Sequence, residues 1–195
     1  MNRVGAWIGV VELLAVALSA SAGASARPQH VAATAAAAAA PAGGAGIPAA
    51  EALGSAGAWS AYASRDQTGR VCYLAGHPQK SEAAGIAPRG QPMAMVTHRP
   101  AENIANVVSF VEGYALKDGS TATLDIGGRK FDLFTHGDSA WARTSDLDRT
   151  IVATLAKSSN AVLKGESDKG RKTTDVYALS GFAKALALIY GWVGG

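Results

Sequence analysis

From Trp59 onward, turn-forming residues break the chain into short segments, and this punctuation constrains the fold more than any other feature. The clearest breaks are Lys117-Asp118-Gly119-Ser120 and Gly127-Gly128. Between them Ala122, Leu124 and Ile126 alternate with Thr121, Thr123 and Asp125. A period of two puts the apolar set on one side of an extended segment, so residues 121–126 read as a half-buried strand. Gly-Gly supplies the positive φ that a two-residue hairpin turn needs. Residues 129–135 should therefore return antiparallel. With residues 107–116 before them, they predict three successive antiparallel strands. Residues 59–64, 70–75 and 93–99 are further strands, and residues 76–92, rich in Gly and Pro, read as a long loop.

Two helices interrupt this pattern. Ser145 can cap one whose first turn carries Asp146 and Asp148, near the positive end of the helix dipole. The second starts at Ser180, where Phe182, Ala185, Leu186, Ile189 and Tyr190 repeat at helical spacing, and Gly191 should stop it. Between the helices, residues 161–167 and 173–179 form a hairpin with the tip Asp168-Lys169-Gly170-Arg171-Lys172. No heptad, internal repeat or βαβ alternation is present. The expected class is mainly β: an antiparallel β-sandwich or partly open barrel with two α-helices.

The N-terminal third has a different character. Asn2 and Arg3 precede an apolar stretch over residues 7–18, and Ala24-Ser25-Ala26 is an A-x-A cleavage pattern, so residues 1–26 read as a secretory signal peptide. Residues 27–58 hold mainly Ala, Gly and Pro and no aromatic residue, which predicts a disordered linker. The domain proper spans residues 59–195. Arg3, Arg27, Glu12 and Glu51 cancel, so the domain keeps the +3 charge of the whole chain. That is too weakly basic for a nucleic-acid partner. After signal removal no segment is apolar enough for a transmembrane helix. Cys72 is the single cysteine and lies in the apolar run Val71-Cys72-Tyr73-Leu74, so it is expected to be buried and to form no internal disulfide.

The chain carries no complete catalytic motif. Gly137-Asp138-Ser139-Ala140-Trp141 approaches the hydrolase G-x-S-x-G pattern but has Trp in place of the second Gly. His98, His136, Asp138 and Ser139 could compose a triad only if the fold gathered them. His77, His98 and His136 are too widely spaced for a metal motif, and no C-x-x-C or Walker loop exists. No catalytic residue, metal or cofactor is expected. The surface that stands out is the tip, where Lys169, Arg171 and Lys172 put three cations on a hairpin turn. It is a candidate contact for an acidic partner.

Several segments occur in a recognisable order: Gly69–Tyr73, Pro88-Arg89-Gly90, Thr97–Pro100, Gly113-Tyr114, Ile126–Gly128, Phe131–Ala142, Gly165–Gly170 and Asp175–Phe182. In this the chain resembles the invasion-associated locus B family over residues 59–189. The resemblance implies a small exported protein of Gram-negative type, virulence-associated by name, with no established catalytic residues to carry over. Many members of that family have more cysteines than this chain. The combined reading is an exported, non-enzymatic periplasmic or cell-envelope binding protein. The alternatives are an exported hydrolase using His98 or His136 and a purely structural envelope component.

Overall fold

The computed structural model describes residues 50–193. The expected signal segment and most of the expected linker lie outside the described residues. The elements are β1 (Glu51–Ala56), β2 (Trp59–Asp66), β3 (Gly69–Gly76), β4 (Lys80–Glu82), β5 (Met93–Arg99), β6 (Ile104–Val111), β7 (Thr121–Ile126), β8 (Arg129–His136), β9 (Ser139–Trp141), α1 (Ser145–Leu155), β10 (Asn160–Glu166), β11 (Lys172–Ala178) and α2 (Phe182–Val193).

All eleven strands join one antiparallel sheet in the order β1-β2-β3-β5-β6-β9-β8-β7-β10-β11-β4. The sheet rolls but does not close. Trp59, which opens β2, donates its indole N–H to the Ala178 carbonyl at the end of β11, 2.8 Å away. Its ring meets Phe182 edge-on, with centroids 4.9 Å apart. Beside this contact the two glycines Gly57 and Gly181 pack back to back. A Cβ at Gly57 would sit 2.1 Å from the Ser180 carbonyl oxygen, and one at Gly181 would sit 2.0 Å from that of Ala56. Both residues also have positive φ, so only glycine lets the β1–β2 turn touch the start of α2.

The alternating pattern of β7 is realised: Ala122, Leu124 and Ile126 are buried. They join the inward residues of β2, β3, β5, β6, β8, β10 and β11, together with Ile151, Val152 and Leu155 of α1 and Phe182, Ala185, Leu186 and Ile189 of α2, in one core. On the opposite side of β2, β3 and β5, Tyr62 stacks on Tyr73 with Ala75 and Met93 around them. Cys72 is fully buried; its thiol lies 3.7 Å from the Ile189 carbonyl, and burial raises its pKa to about 11.

The structure corrects several expectations. Residues 51–56 are a strand, not linker. Backbone pairing with β2 needs no large side chain, and Leu53 and Ala56 still pack on the core. The expected loop 76–92 contains β4, whose Lys80, Ser81 and Glu82 pair with β11 despite being exposed. The run of three successive strands fails at its first member: β6 does not pair with β7, because β9 and β8 lie between them. The chain leaves the sheet after Val111, and Glu112 N–H and Leu116 N–H bond the Asp138 and Gly137 carbonyls instead. Thr144, not Ser145, caps α1, its hydroxyl accepting from Leu147 N–H at 3.2 Å. Helix α2 begins at Phe182 and runs through Gly191. One glycine costs a helix only about 1 kcal/mol, and beyond it Trp192 and Val193 still pack on the core.

Candidate functional site

The expected hairpin is present one residue earlier than predicted, as β10 and β11, paired from Asn160↔Ala178 to Glu166↔Lys172. Its tip is internally fixed. Ser167 N–H donates to the Arg171 carbonyl at 2.8 Å, Arg171 N–H donates to Ser167 Oγ at 3.1 Å, and Gly170 turns the chain with φ of 73°. Lys169, Arg171 and Lys172 are exposed. Among the described residues none of the three has an ion-pair partner; the nearby Glu166 is taken by Lys117 at 3.2 Å. The Arg171 guanidinium lies over Gly85, where a Cβ would stand 3.2 Å from it. The three cations therefore project from an ordered turn.

The histidine triad is not assembled. His136 ends β8 and pairs with Ser139, which pairs with Val111, which pairs with Met93. His98 lies five residues further along β5, about 17 Å at strand rise, toward the other end of the sheet. Its ring is buried opposite Cys72 and meets Tyr190 edge-on at 4.9 Å. Burial lowers its pKa, so the ring is held neutral. The raised thiol and the lowered imidazole exclude a thiolate–imidazolium pair at neutral pH. His136 is exposed, and Ser139 Oγ donates to Asp138, its neighbour, at 2.8 Å. His77 is exposed beside the Pro92 carbonyl. Among the described residues no three His, Cys, Asp or Glu side chains gather as metal ligands.

A buried polar knot, absent from the sequence reading, lies under the 83–92 loop. Glu112, which follows β6, and Asp175 on β11 are both fully buried. Arg89 reaches in between them. Its Nη2 lies 2.5 Å from Asp175 Oδ2 and 3.3 Å from Glu112 Oε2, its Nη1 3.1 Å from Asp175 Oδ1, and its Nε donates to the Glu112 carbonyl at 2.8 Å. Ser81 of β4 donates to Asp175 Oδ1 and accepts from Arg89. Tyr114 donates to Glu112 Oε2 at 3.0 Å and lies 2.6 Å from Thr173 Oγ1.

Two carboxylates share one guanidinium. Asp175 holds both terminal nitrogens and is its ion-pair partner. Glu112 is left in a desolvated site beside a second negative charge, and its pKa rises to about 7. Burial likewise raises the Tyr177 hydroxyl, which has no hydrogen-bond partner. The knot ties the 83–92 loop, β4, β6 and β11 together. A glycine pair makes the approach possible: Gly90 N–H donates to the Gly113 carbonyl at 2.7 Å, and a Cβ on Gly113 would meet the Gly90 oxygen at 2.4 Å. With both acids fully buried, the knot has the form of a structural tie.

These features define a class: a rolled, open, antiparallel β-domain, tied by a buried arginine–dicarboxylate knot and carrying an unpaired cationic hairpin tip. The chain belongs to the invasion associated locus B (IalB) protein family, whose sequence profile matches residues 59–190. The crystal structure of invasion associated protein b from Bartonella henselae is similar at 16% sequence identity and a TM-score of 0.48, covering 73% of this chain and 97% of that one. No curated protein matches the chain. Three of the segments quoted above for the resemblance, Pro88-Arg89-Gly90, Gly113-Tyr114 and the one opening at Asp175, meet in the knot.

Proposed function

We propose that this protein is an exported, non-enzymatic binding protein of the periplasm or cell envelope, and that Lys169, Arg171 and Lys172 contact its acidic partner. The observation that carries the reading is three exposed cations on a hydrogen-bonded turn, without ion-pair partners among the described residues. Arg pairs bidentately with carboxylate or phosphate, and Lys adds longer-range attraction. Family membership supports the non-enzymatic reading, and the signal pattern in residues 1–26 supports export with Arg27 as the mature N-terminus. Among the described residues no helix is long and apolar enough to cross a membrane.

The test is a pull-down from envelope extract with the wild type and a Lys169/Arg171/Lys172→Ala variant. The wild type should recover acidic components that the variant loses. Their recovery should fall between low salt and about 0.1 M, where screening acts over about 10 Å. Equal recovery by both proteins with the same salt dependence would overturn the assignment.

A further inference from the structure

A second basic surface lies far from the tip. A groove of about 610 Å³ follows the outer side of α1, where Arg129, Asp146, Arg149, Thr154, Lys157 and Ser158 are among its walls. The turn at Gly127 faces Ser158, so the groove sits where Ile126 pairs with Ala161. The tip follows Glu166 at the other end of β10, about 20 Å along the strand.

Two independent properties define what the groove can take. The first is charge: three cations face one carboxylate. Asp146 is engaged by Arg149. Among the described residues Arg129 and Lys157 have no ion-pair partner, and the Arg129 guanidinium is held 4.9 Å over the Phe131 ring. The second is a row of hydroxyls. Thr150 donates to the Asp146 carbonyl at 2.8 Å, Thr154 to that of Thr150 at 2.7 Å, and Ser158 to that of Thr154 at 2.9 Å. Each hydroxyl proton is thus committed to the helix, and what remains for a ligand is lone pairs.

A ligand must therefore bring anionic groups for the cations and hydroxyl donors for the row. Sulfate and the inner units of a polyphosphate chain lack the donors. Single-stranded nucleic acid would bring unstacked bases, and no aromatic residue lines the groove to stack them. Acyl chains would find Ala153 as the one apolar side chain there. From Asp146 to its end at Leu155 the helix runs about 14 Å, with Lys157 and Ser158 just beyond, long enough for an extended segment. We propose that this groove binds an acidic polysaccharide, with its carboxylate or sulfate groups on Arg129, Arg149 and Lys157 and its hydroxyls on Thr150, Thr154 and Ser158. This site does not depend on the tip.

The test uses heparin oligosaccharide as the acidic glycan, titrated calorimetrically at about 0.1 M salt, where weak exposed contacts are screened. Arg129→Ala/Lys157→Ala should weaken binding by about tenfold or more, the loss expected for two charged contacts. Thr154→Val/Ser158→Ala should weaken heparin several-fold and leave polyphosphate binding unchanged. The tip variant should bind heparin in the groove as the wild type does. Arg129, Lys157 and the tip residues are exposed and Thr154 and Ser158 partly exposed, and unchanged thermal melts confirm the fold of each variant. Absent heparin binding, equal binding by the Arg129/Lys157 variant, or equal losses for heparin and polyphosphate in the hydroxyl variant overturn the proposal. Full competition by inorganic sulfate, or stronger binding to anionic lipid vesicles that the same variant abolishes, overturns it as well.

Discussion

Replacing Glu112 by Gln tests the knot without dismantling it. Glu112 Oε2 accepts from Tyr114 at 3.0 Å, from Arg89 at 3.3 Å and from Thr173 at 3.4 Å, whereas Oε1 has no hydrogen-bond partner. A Gln can put its carbonyl oxygen where Oε2 stands and its amide where Oε1 stands, keeping all three acceptor contacts. What it removes is titration. The folded protein holds the Glu112 proton up to about pH 7, whereas the reference carboxyl loses it at 4.5. Between these values the folded state binds more protons, so stability is fully present below pH 4.5 and falls as pH rises through 7. The difference corresponds to about 3 kcal/mol. Any fixed cost of burying an unpaired amide, about 1–3 kcal/mol, is independent of pH and shifts the whole curve. Urea unfolding of both proteins from pH 5 to 8 measures the contrast. The advantage of Glu112→Gln over the wild type should grow by about 2.5 kcal/mol across that range, which corresponds to roughly 8 °C in Tm for a domain of this size. Parallel stability curves would refute a Glu112 held protonated by burial and by Asp175.

His98 should tilt stability the other way. Burial lowers its pKa from 6.5, so the unfolded chain protonates first and stability falls as pH drops below that value; thermal melts of His98→Leu should lack that acid-side loss. Cys72 should react slowly with a thiol reagent in the native protein and rapidly in denaturant, because burial holds the thiol neutral; fast stoichiometric native labelling would contradict its place under α2. A chain beginning at Gly57 should be about 2–3 kcal/mol less stable to urea than one beginning at Ala50, because it loses the packing of Leu53 and Ala56 along with β1. Equal stability would show that β1 contributes nothing.

Elements whose own residues bury a face were legible in the sequence. The alternation in β7 and the glycine turn after it marked a hairpin, and the helical spacing of Phe182, Ala185, Leu186 and Ile189 marked α2. Strands β1, β4 and β9 left little trace because they are short or poor in apolar residues and take their order from neighbours. The pairing of β6 was not legible because adjacency in sequence does not imply adjacency in the sheet, where β9 and β8 separate β6 from β7. The cationic tip was readable since a turn between two strands has to face water. The knot was half readable. Thr173, Asp175 and Tyr177 share the buried face of β11, with Leu179 just beyond it, and an Asp in such a row demands a buried partner. Its partner, Arg89, comes from a Gly- and Pro-rich loop with no periodicity to announce it.

The place of β4 in the sheet also governs how the fold can be reached. This strand is fourth in the chain but holds the far edge beyond β11, and its Ser81 meets Asp175 across 94 residues of sequence. Arg89 finds the same carboxylate across 86. Contacts of such separation close large loops and slow folding. As the chain emerges from its N-terminus, β2, β3, β5 and β6 can pair early, while the 77–92 segment has nowhere to settle until β11 exists. The last strand therefore acts as a checkpoint: a chain cut short before residue 172 leaves Arg89 and Glu112 without Asp175, and a quality-control protease would meet an open 77–92 segment instead of a finished sheet.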